Sequence, residues 1–353
     1  MAQELMRPES LEGRLLFAVP KVCSHSRLPP STLTDHPRAE GRLLQACLNL
    51  LEGADIQFRR ENRLDIALVK NLPIALVFLP AADIPTFVGE GRVDLGITGF
   101  DQVQEHDAGV RTLARARRMS NDFDPTSGKP QGCETVLDLG FGSCRLQVQV
   151  PAKGEYVDGK DLIGKNIGTS FVHLAHEYFA RLELEQEGIT DEAAQLAGRK
   201  LRTKIIELSG SVEAACALGV ADGIVDLVES GETMRAAGLK AIDTVVETSA
   251  ILIKSKAPSN PALVELIASR IRGVITAQKF VLCQYNVPRV KLAEATRITP
   301  GKRAATVTSL DEEGWVAVSA MVEKKRIAPV MDELVKVGAE DIIVLDIHNT
   351  RSS

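Results

Sequence analysis

GIVDLVESGETMRAAG, residues Gly223 to Gly238, is the stretch that decides the fold. An apolar run ends on a carboxylate, Asp226. Ser230, Gly231, Glu232 and Thr233 follow, and a helix-like pattern begins after them. A buried strand entering a helix through small and hydroxylated residues belongs to an α/β layer. Such a junction offers unpaired N–H groups to an anion. Gly231 lets the backbone approach the anion closely, and Ser230 and Thr233 add hydroxyl donors. Asp226 is placed to accept hydrogen bonds from sugar hydroxyls. Glu229 and Glu232 oppose an anion unless they face solvent, a divalent cation or ribose hydroxyls. The alternative is an ordinary strand–turn–helix with Ser230 as N-cap. The stretch alone leaves both readings open.

Working outward, strands alternate with helices. RLLFAVP (14–20), LDIALV, PIALVFLP and VDLGITG read as buried strands. GRLLQACLNLLEG reads as an amphipathic helix stopped by Gly53, and a second helix begins at Asp83 with Pro85 in its first turn. Residues 111–142 are charged and turn-rich, which predicts a long surface loop for RTLARARRMSNDFDPTSGKPQG. CRLQVQV, IGKNIGTSF, TKIIELSG and DGIVDLV continue as strands, with helices at VHLAHEYFARLELEQEG and SVEAACALGV. The tail is separable. From FVLCQYNV to DIIVLDI its pattern is βαββαβ, a ferredoxin-like order. A small terminal module of that kind is expected to regulate or assemble rather than catalyse.

The bulk numbers bound the rest. The chain has 353 residues, enough for two or three domains, and 44% apolar content sustains a sizeable core. A net charge of −5 and 4% aromatics give no footing for nucleic acid. No stretch is long and apolar enough to span a membrane. The six scattered cysteines form no CxxC and no secretory signal is visible, so a reduced, cytoplasmic protein is expected. His173 and His176 lie three apart but lack further ligands, so no protein metal site is expected. Gly140-Phe141-Gly142 is a lone GxG and carries no dinucleotide reading.

The whole stretch around Ser230 has the form of a phosphoribosyl-pyrophosphate turn: apolar run, acid, apolar pair, one residue, then Ser-Gly-x-Thr. Together with PIALVFLPAADIPTFVGEGRVDLGITGFDQV, LGFGSCRLQVQVP, LIGKNIGTSFVHLA, SGSVEAACALGVADGIVDLVESGETMRAAGL, ITPGKRA and EGWVAVSAMV, in this order, it resembles ATP phosphoribosyltransferase of the long, histidine-regulated form. It is most similar to the fungal enzymes. The resemblance implies two α/β domains like a periplasmic binding protein, with a third, ferredoxin-like domain that binds histidine as inhibitor. The domains expected are 11–103 with 241–278, then 104–240, then 279–353. The implied reaction condenses ATP with 5-phosphoribosyl 1-pyrophosphate, the first step of histidine biosynthesis, with Mg2+ held mainly by substrate phosphates. Dimers assembling into hexamers are implied too.

Both substrates are polyanions, so cations must face them. The resemblance implies Arg42, Arg63 and Lys21 as catalytic residues, the two arginines near the pyrophosphate and Lys21 as the basic residue that ends the first strand. It extends the phosphoribosyl set, Asp226, Glu229, Ser230, Gly231, Glu232 and Thr233, by Glu213, whose alternative is a capping-box acid. Asp94, Gly96, Thr98 and Gly99 end a strand where open α/β sheets bind ligands, and are candidates for the nucleotide together with Thr169 and Ser170. Each of these has a structural alternative, a strand turn or a helix cap. One departure stands out. VCSHSRLPPSTLTDHPRAE, nineteen residues, separates Lys21 from Gly41-Arg42-Leu43 where the family turns within a residue or two. It is either a surface loop or, as preferred, a retained intron. It keeps alive a catalytically silent regulatory homologue beside the enzyme, and a cytosolic solute-binding sensor is the third reading.

Overall fold

A computed structural model describes residues 11–21, 39–59, 64–119, 132–189 and 200–351, less the side chains of 39–42 and 114–119. The segment 22–38, which carries nearly all of the insertion, lies outside the described residues. The chain forms two compact units. The second consists of residues 48–58, 70–72 and 262–353, and the first of the remainder.

The first unit holds two sheets. One has the order β2-β3-β1-β4-β11-β5, built from β1 (Leu15–Pro20), β2 (Ile66–Leu68), β3 (Ile74–Leu79), β4 (Leu95–Gly99), β5 (Cys133–Asp138) and β11 (Ala250–Ser255). Its centre is parallel, β3 and β4 flanking β1. Central parallel strands are covered on both faces, which is why LLFAVP and IALVFL are nearly all apolar. Phe17, Phe78, Leu76 and Leu95 are fully buried there. Helix α2 (Ile84–Gly89) starts beside Pro85 as expected, though Asp83 makes no side-chain cap bond.

The second sheet has the order β10-β6-β9-β7-β8, from β6 (Cys144–Pro151), β7 (Asn166–Thr169), β8 (Lys204–Glu207), β9 (Gly223–Val228) and β10 (Leu239–Thr248). Helix α4 (Val172–Gln186) covers it, burying Leu174, Tyr178 and Phe179 against Leu146, Val148 and Val225. Glu183 is fully buried on α4. Burial alone would raise its carboxyl, but the Thr203 and Arg202 amides, the Thr203 hydroxyl and the Arg202 guanidinium outweigh that and hold it low. The return to the first sheet, expected at 241, falls at Ser249, because β10 pairs with β6 along its length.

Of the loop expected over 111–142, residues 120–131 lie outside the described residues, and the described ends are largely regular. Helix α3 runs Phe100–Met119, and CETVLD forms β5. RTLARARRM lacks an apolar face, but arginine, alanine, leucine and methionine all favour helix, so propensity extends α3 where periodicity is silent.

In the second unit, α1 (Ala39–Gly53) contributes its last turns and α7 (Pro261–Lys279) all but its first residue. Val274 of α7 meets Gly53 so closely that a Cβ there would lie 3.0 Å from it. The tail is β12 (Phe280–Pro288), α8 (Leu292–Ile298), β13 (Thr306–Ser309), β14 (Trp315–Glu323), α9 (Ile327–Val337) and β15 (Glu340–Asp346), in the sheet order β13-β14-β12-β15. This is the ferredoxin-like arrangement. Strict alternation of burial along β12 and β14 puts Val281, Cys283, Tyr285, Val316 and Val318 under Val330 and Leu334.

Candidate functional site

β9 is the middle strand of its sheet, so GIVDLV is apolar up to its one acid. Asp226 Oδ1 accepts the Leu227 amide at 2.8 Å, while its carbonyl accepts Gln149 Nε2 at 3.2 Å. Burial pushes its carboxyl up to about 6, the Leu227 amide works against that, and neighbouring Glu213 adds to it. Glu213 itself precedes the short helix α5 (Ala214–Ala217) and makes no cap bond, so the capping-box alternative is not what the fold uses. The turn before it holds Ser211 at φ 50°, a strained value for a residue with a Cβ. A largely buried carboxylate with a second one beside it suits hydroxyl donors or a hard divalent cation.

After β9 the chain turns through Glu229–Gly231 into α6 (Glu232–Ala236), a single helical turn. Gly231 sits at φ 75°, in the left-handed region that glycine enters freely. It occupies the N-cap position, so Ser230 is not the cap; the Ser230 hydroxyl accepts the Glu232 amide over 3.4 Å, a long contact. Ser230 and Thr233 are exposed, as are Glu229 and Glu232. One residue that sequence reading missed joins them. Arg235 Nη2 donates to the Ser230 carbonyl at 3.2 Å, laying a guanidinium over the turn. Its i+4 spacing from Gly231 was the available signal.

The nucleotide candidates fare differently. Asp94 is corrected: it stands before β4, at the N-terminal end of the strand, and its oxygens accept the Leu16 amide at 3.0 Å and the Ser259 amide at 2.5 Å. Gly96 is a packing position, since a Cβ there would press on Ile84 and Val88 of α2. Thr98 is buried and donates to Ala81 O at 2.7 Å. Gly99 ends β4, and a Cβ there would collide with the Asp101 carboxylate. Thr169 is fully buried, donates to Val225 O at 2.7 Å and accepts the Phe171 amide at 2.9 Å, which is the local capping role that was its structural alternative. The amides that open α4 are taken as well, because Glu105 of α3 accepts those of His173 and Leu174 at 2.8 Å each. Ser170, at the end of β7, is the exposed residue among these six, and Gly99 is half-buried.

Of the three cations, Lys21 ends β1 and pairs with Asp65 at 3.1 Å. Arg42 lies in α1, its side chain outside the described residues, and Arg63 lies outside them altogether. His173 packs over Gly109 and His176 is held low by burial and by His173. Gly140 and Gly142, at φ 74° and 68°, shape the joint between β5 and β6. Among the described residues no cluster of three or more metal-ligating side chains occurs, and no helix is long and apolar enough to cross a membrane.

Fold and turn define a class: two-sheet α/β proteins that present a hydroxyl-rich turn at the end of a central strand. Comparison with known proteins narrows it. The family model for ATP phosphoribosyltransferase matches residues 80–273, and that for the C-terminal domain of the same family matches 277–349. The ATP phosphoribosyltransferase of Yarrowia lipolytica is 57% identical over 97% of this chain and 98% of its own, and that of Debaryomyces hansenii 52% over the same shares. A solved ATP phosphoribosyl transferase complex from Thermotoga maritima is a distant likeness, covering 73% of this chain and 96% of its own at 20% identity and TM-score 0.49. The chain belongs to the ATP phosphoribosyltransferase family.

Proposed function

We infer that this chain condenses ATP with 5-phosphoribosyl 1-pyrophosphate to N1-(5-phosphoribosyl)-ATP and pyrophosphate, the first step of histidine biosynthesis. The adenine N1 lone pair forms the new bond to C1 of the ribose as the C1–O bond breaks, and that electron pair leaves with pyrophosphate. The turn after β9 carries this reading: a left-handed Gly231 between exposed Ser230 and Thr233, closing the central strand of a sheet.

In this reading the amides and hydroxyls of Ser230–Thr233 receive the 5′-phosphate. Asp226 and Glu213 accept from the ribose hydroxyls, which relieves the strain that burial and mutual repulsion place on Asp226. Lys21, Arg42 and Arg63 face the pyrophosphate, whose charge grows in the transition state. Lys21 must exchange Asp65 for the substrate, an easy trade because a part-exposed ion pair contributes only about 0–1 kcal/mol. The oxygen donors of Asp226 and Glu213 fit Mg2+. Held mainly by substrate phosphates, such an ion would supply positive charge beside the leaving pyrophosphate. Ser170 at the end of β7 is the remaining contact offered to the nucleotide. The ferredoxin-like tail takes histidine as inhibitor, and the chains self-associate from dimers to hexamers in the cytoplasm.

The test is the absorbance of phosphoribosyl-ATP on mixing the purified chain with both substrates and Mg2+, with and without histidine. Product that histidine suppresses supports the whole reading. A folded chain that binds ligand and yields no product is a sensor or a silent homologue instead. Running the assay on forms with and without residues 22–40 separates the insertion's effect from the rest.

A further inference from the structure

The chain passes from one sheet of the first unit to the other at two strand-to-strand joints, 138–144 between β5 and β6 and 248–250 between β10 and β11. A third connection starts where β4 gives way to α3. The three are hydrogen-bonded to one another. The Phe100 amide donates to Ser249 O at 2.9 Å, the Leu139 amide to Ala250 O at 2.9 Å, and the Ala250 amide to Phe141 O at 3.0 Å. Among these joints sits Asp101, 4% exposed. Its Oδ1 accepts the Thr248 hydroxyl at 2.7 Å, the Thr248 oxygen accepts the Asp101 amide at 2.9 Å, and Oδ2 accepts Gln102 Nε2 at 2.8 Å.

Helix α3 is fastened from Asp101 to Arg111 to the elements of the second sheet. Glu105 caps α4, Ala108 lies in that sheet's core, and Arg111 grips Glu177 through two bonds, 3.2 and 2.9 Å. With Asp101 holding Thr248, α3, α4 and β10 form one body. The backbone left to bend lies at Gly99–Phe100 and at Ser249, and hinges of this kind are a few element-terminal residues. Among the described residues no ion pair involves Asp101, and a buried carboxylate without one is an expensive way to fasten a helix to a strand. Burial pushes the Asp101 carboxyl up, partly offset by Thr248, its own amide and Gln102.

We propose that Asp101 is a positioning residue: by latching Thr248 it makes α3 and the second sheet move as one body about the Gly99 and Ser249 joints, and so fixes the angle at which the two sheets present their substrates. This rests on the reading above, in which both sheets contribute substrate-binding groups. Small misplacements of reacting atoms carry large rate penalties, so the latch governs turnover more than binding.

The experiment uses the full chain. Thr248→Val keeps the shape and removes the hydroxyl, whereas Thr248→Ser keeps the hydroxyl. The latch predicts that Thr248→Val lowers kcat about ten-fold or more with each KM within about three-fold, and that Thr248→Ser returns kcat to within about two-fold. Hydrogen exchange without substrate gives a readout independent of activity. The Phe100, Asp101 and Ala250 amides should exchange about ten-fold faster in Thr248→Val, with β12 unchanged. Should Thr248→Val not fold, Thr248→Ala, which leaves room for a water beside the carboxylate, carries the same expectations. Unchanged kcat in a variant that is less heat-stable, equal losses in Val and Ser, or unchanged exchange at the joints would overturn the latch. A wild type that makes no phosphoribosyl-ATP would sink the reaction instead, and exchange alone would then decide.

Discussion

Glu105 of α3 accepts the backbone amide of His173, the second residue of α4, at 2.8 Å. The same carboxylate takes the Leu174 amide. A helix N-terminus that looks ready for phosphate is therefore already satisfied from within the protein. Glu105→Ala should destabilise the fold by about 1–2 kcal/mol in denaturant unfolding, the usual worth of a lost cap. The KM for either substrate should stay within about two-fold. A large, selective rise in one KM at unchanged stability would return α4 to the list of anion sites.

Gly231 offers a sharper contrast. At φ 75° any side chain is strained, and a Cβ there would lie 2.9 Å from Arg235 Nη1. Gly231→Ala should raise the KM for phosphoribosyl pyrophosphate about ten-fold or more while that for ATP moves less than about three-fold. Steady-state kinetics with each substrate varied in turn separate the two. Equal effects on both would remove the turn from the phosphoribosyl site.

Asp226 gives a pH signature. Its carboxyl lies near 6 in the folded chain against an ordinary value of 3.8. Between those values the native state binds more protons than the unfolded one, so stability falls as pH rises through the window, and the penalty is complete above about 6. Asp226→Asn removes it. The ligand-free variant should be more stable than wild type at pH 8, on the order of 3 kcal/mol, with the gain fading toward pH 4. Urea midpoints across that range supply the check, and a gain that is constant with pH would contradict the assignment. The same variant should lose phosphoribosyl pyrophosphate affinity.

Among the described residues Lys21 pairs with Asp65, at 3.1 Å, and both are partly exposed. Lys21→Met should leave the unfolding midpoint almost unmoved, because such pairs contribute about 0–1 kcal/mol. It should lower kcat about 10²–10³-fold, the usual effect of removing one donor aimed at developing charge. Stability loss without rate loss would make Lys21 a structural cation.

What the sequence disclosed follows from which forces are local. Apolar runs such as LLFAVP and the alternation in WVAVSAMV report burial directly, and both became the strands expected of them. The order of the tail was legible for the same reason. The Ser230–Thr233 turn was visible because backbone geometry demands glycine at one position. The internal hydrogen bonds of Asp94 and Thr169 escaped sequence reading because their partners, Leu16, Ser259 and Val225, are distant in sequence. No local pattern announces a long-range hydrogen bond. The same holds for Glu105 and for Asp101 with Thr248, 147 positions apart. The extension of α3 escaped because a helix without an apolar face has no period to read.

The central claim is that the turn from Ser230 to Thr233 grips the 5′-phosphate of phosphoribosyl pyrophosphate. A crystal structure of the chain with that substrate and Mg2+ tests it most directly. The prediction is phosphate oxygens within about 3 Å of those amides and hydroxyls, with the ribose hydroxyls at Asp226. A bound substrate whose phosphate lies elsewhere, with this turn unoccupied, would contradict it.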